Sequence, residues 1–194
     1  MPHRRNDSGI ARVIVTEEAI RVRVGELVHE INADLAGPDL VVVALLKGSV
    51  VFLADLIRGF ERPVAFDFLG VASYGDGATP AERLTFTKEL TIDIAGRHVL
   101  VVDDILDTGR TMREVLRYLE SFRPASVRTC VLLDKRARRE APVEPDYRGF
   151  EIGDEFVVGY GMDFADQYRN LPFIGVLTAD AQDAARNAGR EGRR

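Results

Sequence analysis

The sequence predicts an α/β protein, a twisted and mainly parallel β-sheet flanked by helices. Three observations carry that prediction. Leu40–Leu46 (LVVVALL), Val99–Val102 and Val127–Leu133 are continuous apolar runs rich in valine, as in strands covered on both faces. Stretches with apolar residues at helical spacing lie between such runs, and alternating strands and helices indicate a parallel sheet. The buried runs also stop abruptly at Lys47-Gly48-Ser49, Asp103-Asp104 and Asp134-Lys135. In open α/β sheets ligands sit beyond the carboxyl ends of the strands.

In chain order, residues 1–9 read as a polar tail and Arg12–Val15 as a short strand. Thr16 is placed to cap a helix with its hydroxyl. Glu17 and Glu18 fall in the first turn, where the helix dipole favours anions. Ile20, Val24, Leu27, Val28, Ile31 and Leu35 recur at helical spacing, and Gly37-Pro38 stops the helix. The strand Leu40–Leu46 follows, then a helix over Val50–Phe60 and a strand over Val64–Val71. Ser73–Glu82 (SYGDGATPAE) is a glycine-containing polar loop. Leu84–Leu90 alternates as a strand does, and the stretch after it is a further strand candidate. Val99–Val102 ends in Asp103-Asp104. A helix begins near Thr108–Thr111, with Met112, Val115, Leu116, Leu119 and Phe122 as its inner face. Val127–Leu133, Phe156–Tyr160 and Phe173–Leu177 are the remaining apolar runs. Residues 10–180 are expected to form one domain, and the polar end from Ala181 a frayed helix or tail.

Composition narrows the function classes. The 194 residues suit one domain. Cys130 is the only cysteine, which excludes a disulfide scaffold and a cysteine zinc site and fits a reducing compartment such as the cytoplasm. No run approaches the roughly 20 apolar residues of a membrane helix. The opening MPHRRNDSG has no apolar core of a secretory signal. A net charge of −5 speaks against a nucleic-acid partner. His3, His29 and His98 are not at metal-ligand spacing. Lys47, Lys88 and Lys135 are the only lysines among 26 basic residues, so each can be examined individually.

Residues 99–111, VLVVDDILDTGRT, carry the most chemistry. Gly109 lets the backbone turn tightly and approach a ligand. Thr108 and Thr111 offer hydroxyls, and the free N–H groups of the following helix favour a phosphate. Asp103 and Asp104 would repel a bare phosphate, so ribose hydroxyls or Mg²⁺ are their candidate partners. An acidic turn that merely caps a helix is the bland alternative. Adjacent aspartates at a buried strand end are costly without a partner. The chain has no Gly-Lys pair of a Walker loop and no G-x-G-x-x-G.

This stretch resembles the phosphoribosyl-diphosphate (PRPP) binding motif of the type I phosphoribosyltransferases: a hydrophobic run, two acids, two apolar residues, then D-T/S-G-x-T. Four further elements follow the order of the family's 6-oxopurine branch, the hypoxanthine-guanine phosphoribosyltransferases. They are Leu45-Leu46-Lys47-Gly48, Ser73-Tyr74-Gly75, Leu132–Arg136 and Glu155–Leu177 (EFVVGYGMDFADQYRNLPFIGVL).

The resemblance implies the type I fold, with a small hood over the base site built from N- and C-terminal segments. It implies that Asp107, Thr108, Gly109, Arg110 and Thr111 bind the 5′-phosphate, and that Asp107 is also the general acid/base at purine N7. Asp103 and Asp104 hold ribose hydroxyls or metal. Lys47, Gly48 and Arg169 contact pyrophosphate, and the matching lysine peptide is often cis. Ser73 and Tyr74 belong to a mobile loop, with Gly75 and Gly77 permitting closure that excludes water. Lys135 contacts the 6-oxo group, Phe156 stacks on the purine, and Val157 reads the base edge through its backbone. Asp163 lies near the metal and the guanine side. The implied cofactor is Mg²⁺. The implied partners are PRPP with hypoxanthine or guanine, the products IMP or GMP with pyrophosphate, and a second copy in a dimer or tetramer. Asp103 departs from the glutamate that many members carry. Two alternatives stand beside this reading. An RNA-binding pyrimidine-operon regulator of the same fold shares V-D-D-x-L-x-T-G-R-T with Val102–Thr111, though it typically carries Tyr at the position of Asp107. The other is a xanthine or guanine specialist.

Overall fold

A computed structural model describes residues 9–35, 39–74 and 83–183. Thr16 caps the first helix as expected, its hydroxyl accepting from Ala19 N at 3.2 Å. The helix, α1 (Glu17–Asp34), buries Ile20, Val24, Leu27, Val28 and Ile31; its expected stop at Gly37-Pro38 lies outside the described residues. Before it runs β1 (Ile10–Val15). After it come β2 (Leu40–Leu46), α2 (Val50–Arg58), β3 (Ala65–Tyr74), β4 (Arg83–Lys88) and β5 (His98–Leu106). Then follow α3 (Arg110–Glu120), β6 (Ser126–Asp134), a 3₁₀ turn over Arg136–Arg138, β7 (Tyr147–Glu151), β8 (Val157–Val158) and β9 (Ile174–Leu177).

Six strands form the main sheet in the order β4-β3-β2-β5-β6-β7. All its pairs are parallel except β3 with β4. The central runs are apolar throughout because both faces are covered. Val42 and Ala44 of β2 face the α1 and α2 side, with Leu100, Val102, Cys130 and Leu132. Val41, Val43 and Leu45 face the opposite side, with Val99, Val101 and the α3 residues Met112, Val115 and Leu119. That two-sided alternation is the pleat of a buried strand. The hood is a separate antiparallel sheet, β1-β9-β8. No helix among the described residues is long and apolar enough to cross a membrane.

Several elements differ from expectation. Ser73 and Tyr74, expected in a loop, are the last residues of β3, and their backbones pair with Leu84 and Arg83. Gly75 and Gly77 lie outside the described residues. Strand β5 does not end at Asp103. It continues to Leu106, because β6 supplies a partner at Asp103↔Val131 and Ile105↔Leu133. The stretch after β4 is not a strand. Thr91 N and Ile92 N donate instead to Asp67 Oδ2, at 2.6 and 3.3 Å. Helix α2 stops at Arg58 rather than Phe60. Phe122 falls beyond α3 and is exposed, edge-on to Tyr118 at 5.1 Å. Strand β7 had no counterpart in the sequence reading; the Arg23 guanidinium bonds the carbonyls of Arg148 and Gly149 along it.

Candidate active site

The carboxyl ends of β2, β5 and β6 lie side by side, which brings together residues distant in sequence. At the end of β2 the Leu46–Lys47 peptide is cis, and the Ser49 hydroxyl donates to Leu45 O at 2.5 Å. Gly48 has no room for a side chain, since a Cβ there would fall 1.8 Å from Asp104 Oδ2. On its other side the hood comes equally close. A Cβ on Gly161 would lie 2.1 Å from Gly48 O, and Gly161 has φ of +101°. Two glycines therefore let the hood's turn, the β2 loop and the acidic end of β5 meet at backbone distance.

Asp103 and Asp104 accept from the backbone at their own turn, Asp104 N to Asp103 Oδ1 at 3.0 Å and Ile105 N to Asp104 Oδ1 at 3.1 Å. Among the described residues no cation forms an ion pair with either. Burial, and then the charge of Asp104, pushes the Asp103 carboxyl well above the ordinary range. Burial raises Asp104 too, partly offset by its hydrogen bonds and by Arg169. Such a pair favours a cation or hydroxyl donors in its vicinity.

Beyond it, the 107–111 loop opens α3. Gly109 has φ of +79°, and the carbonyl of Thr108 accepts from Glu140 N and Ala141 N, both at 3.0 Å. Helix α3 has no side-chain cap and no acid in its first turn, so its leading N–H groups are suited to an anion. Arg110 turns to Glu140 at 2.5 Å.

Two cavities meet here. One of about 260 Å³ is lined by Leu45, Leu46, Asp103, Asp104 and the 107–111 loop except Arg110. The other, about 240 Å³, is lined by Asp104, Asp107, Lys135, Phe156, Val157 and Asp163, with Ile105 and Met162. They share Asp104, Ile105 and Asp107. Lys135 is 6% exposed; among the described residues its ammonium makes no hydrogen bond or ion pair, though its charge helps to lower the Asp154 carboxyl. Phe156 is 48% exposed, edge-on to Phe164 at 5.1 Å. A largely buried lysine and an exposed aromatic ring lining one cavity suit a flat ring bearing an acceptor oxygen. A larger cavity of about 700 Å³ lies between α1, α2 and the hood, and of the expected site residues it includes only Arg169. It lacks the acidic pair, the 107–111 loop and Lys135, so chemistry rather than size selects the two smaller ones.

Lys47 and Arg169 sit at the hood's rim and are engaged by acids. Arg169 donates to Gly161 O at 2.7 Å and contacts Asp163 Oδ1 at 2.5 Å. Lys47 and Arg169 both reach Asp166 Oδ1, each at 3.4 Å. The other oxygen of Asp163 accepts from Asp166 N at 2.8 Å.

The sequence does not single out the arginines that follow Lys135, Arg138 and Arg139. Arg139 is nearly buried and ion-pairs with Asp134, which is fully buried and also meets Arg148 at 3.0 Å. Arg139 donates to Asp107 O at 2.5 Å, and Arg138 Nε lies 2.8 Å from Asp107 Oδ1. The signal was Asp134 itself, since an acid at the end of a buried strand needs a partner.

The chain matches the family model of the phosphoribosyl transferase domain over residues 14–165. It is 46% identical over 164 residues to the hypoxanthine-guanine phosphoribosyltransferase of Aquifex aeolicus, covering 84% of this chain and 92% of that one. To the hypoxanthine phosphoribosyltransferase of Haemophilus influenzae it is 45% identical over 171 residues, 87% and 96% of the two chains. The crystal structure of a hypoxanthine-guanine phosphoribosyltransferase from Bacillus anthracis superposes with a TM-score of 0.84 at 40% identity, covering 87% of this chain and 99% of that one. With such similarity over most of its length, the chain belongs to the type I phosphoribosyltransferase family, in its hypoxanthine-guanine branch.

Proposed function

We propose that this chain transfers the phosphoribosyl group of PRPP to hypoxanthine or guanine, giving IMP or GMP and releasing pyrophosphate. The observation that carries the reading is that Lys135, largely buried and without a hydrogen bond or ion pair among the described residues, lines one cavity with the exposed ring of Phe156, and that this cavity shares Asp104 and Asp107 with the cavity of the 107–111 loop. Lys135 donates to the purine 6-oxo group and disfavours adenine, whose 6-amino group would face a cation. Phe156 stacks on the base, worth roughly 1–3 kcal/mol by analogy with single-strand binding. The backbone of Val157 reads the base edge.

The transition state places positive charge on the ribosyl ring and negative charge on pyrophosphate. Lys47 and Arg169 stabilise the leaving group once they exchange Asp163 and Asp166 for its oxygens. Gly48 brings backbone close to the same place. The N–H groups and hydroxyls of residues 107–111 hold the 5′-phosphate, and Asp103 and Asp104 hold the ribose hydroxyls. Asp107 manages the proton at purine N7, a role worth about 10²–10⁴-fold.

The donor set fits Mg²⁺. Asp103 and Asp104 offer hard oxygen ligands that form no ion pair among the described residues, and Mg²⁺ typically takes one or two carboxylates together with water and substrate phosphates. Asp163 is the third candidate, with its oxygens now on Arg169 and Asp166 N. When bound, the ion neutralises charge developing on pyrophosphate. A cytoplasmic homo-oligomer, dimer or tetramer, completes the reading.

The test is an absorbance assay with PRPP and Mg²⁺ on hypoxanthine, guanine, xanthine, adenine and uracil in turn. Turnover of hypoxanthine and guanine without adenine or uracil supports the reading, and silence on every purine sinks it. Turnover restricted to xanthine or guanine favours the specialist. The RNA-binding alternative is opposed by the Lys135 and Phe156 pair and by Asp107, where such regulators typically carry Tyr.

A further inference from the structure

Arg138 closes the 3₁₀ turn that follows β6, three residues after Lys135. Its side chain bridges Asp107, which lines the base cavity, to Asp154, which does not. Nε lies 2.8 Å from Asp107 Oδ1, and Nη1 donates to Asp154 Oδ1 at 2.7 Å. Asp154 precedes the stacking ring of Phe156 by two residues. Asp107 Oδ1 is buried and accepts no hydrogen bond of good geometry, while the Asp107 side chain as a whole is 39% exposed. Its exposure therefore lies on the rest of the side chain. The main chain of Asp107 is held by the next arginine, Arg139, through its carbonyl.

We infer that Arg138 is a positioning residue for the transfer reaction: it holds Asp107 by one carboxylate oxygen, leaving the other for the purine, and ties that carboxylate to the segment carrying Phe156. The inference rests on the reading of Asp107 as the group that handles the N7 proton. Its chemistry is geometric. The other charged groups lining the cavity are Lys135, Asp104 and Asp163, and none of them forms an ion pair with Asp107. Without Arg138 the carboxylate has no ion pair among the described residues to hold it in this rotamer. Misplacement by an ångström costs up to about 10²-fold in rate. A half-exposed ion pair contributes little to folding, so position and stability separate cleanly here.

The experiment is steady-state kinetics on the full chain with PRPP, Mg²⁺ and hypoxanthine, for wild type, Arg138→Gln, Arg138→Lys, Asp107→Asn and the Asp107→Asn/Arg138→Gln double variant. Arg138→Gln is expected to lower kcat about 10- to 50-fold, with both KM values within about twofold and Tm within about 2 °C. Arg138→Lys, which keeps a cation near Asp107, recovers part of the loss. In the Asp107→Asn background, Arg138→Gln costs almost nothing further, because the two act as one unit. Wild-type kcat in Arg138→Gln overturns the inference. So does a rise in KM alone, or a full multiplicative loss in the double variant. An inactive wild type overturns the functional reading instead, and is seen before any variant is compared.

Discussion

Two acidic places in this molecule, one buried and one partly buried, are built to opposite plans. At the β3–β4 corner, Asp67 is 7% exposed and fully engaged. Lys88 Nζ meets Oδ1 at 2.7 Å, Phe68 N donates to Oδ1 at 2.7 Å, and Thr91 donates to Oδ2 through both N–H and hydroxyl. Burial alone would raise this carboxyl, yet Lys88 and those donors hold it well below the usual range. At the end of β5, Asp103 and Asp104 have no ion-pair partner among the described residues and are pushed up. The lysines divide in the same way. Lys88 has three acceptors, Asp67 Oδ1, Phe68 O and Glu89 O, whereas the ammonium of the more deeply buried Lys135 has none. A buried charge completed by protein maintains the fold, and a wholly or partly buried charge left incomplete marks where a ligand completes it.

Removing charge from the incomplete place should cost activity and spare stability. Asp107→Asn is expected to lower kcat by about 10²–10⁴-fold, with IMP binding retained by calorimetry and Tm within about 2 °C. Near-normal turnover would remove Asp107 from the proton-handling role and weaken the division.

The complete place should behave in reverse. Lys88→Met leaves the Asp67 carboxylate buried without its cation. Breaking a fully buried pair costs about 3–5 kcal/mol; Lys88 is 36% exposed, so about 2–3 kcal/mol is expected here, read from urea unfolding. The pH dependence follows from the direction of the Asp67 shift. A carboxyl held below its unfolded value contributes stability above about pH 4 and loses it as pH falls further. The wild type should therefore lose this increment in acid, and Lys88→Met should lose less. Equal acid sensitivity in both proteins would show that the pair contributes nothing.

Lys135→Met sharpens the contrast because its two effects have opposite signs. Replacing a largely buried lysine that has no ion pair among the described residues should leave Tm unchanged or raise it by about 1–3 °C. The preference for hypoxanthine over adenine, as a ratio of kcat/KM, should fall by about 10- to 100-fold. A fall in Tm with selectivity intact would make Lys135 a structural lysine like Lys88.

The sheet and the acidic strand end were legible for one physical reason: strands covered on both faces must be continuously apolar, so each polar break stands out. What escaped depended on partners distant in sequence. Strand β5 runs on through Asp103 because β6 pairs with it, and Ser73 and Tyr74 join β3 because β4 does the same. Strand β7 (YRGFE) has no clean period. It forms against β6, where Gly149 is needed because a Cβ would fall 2.4 Å from Leu132 O. The residue roles came from the resemblance. What the residues alone showed was that an acidic pair and two isolated lysines stood at the ends of buried strands. The grip of Arg138 and Arg139 on Asp107 was invisible, since it spans more than thirty positions of chain.

The smallest expected effect concerns the rim of the incomplete place. Asp166 stands between Lys47 and Arg169, 3.4 Å from each, and their charges lower its carboxyl. It is largely exposed, as is Lys47, so solvent screens both contacts. If these two cations serve pyrophosphate, Asp166 is the anion that occupies them beforehand and must be displaced. Asp166→Asn removes that competitor and keeps the size of the side chain. Pyrophosphate, titrated by calorimetry in the presence of Mg²⁺, should then bind about two- to fivefold tighter, with a salt dependence weaker than in wild type. Weaker binding would mean that Asp166 holds Lys47 and Arg169 in place for the ligand rather than competing with it. The rim would then follow the plan of the Asp67 corner, a charge completed by protein.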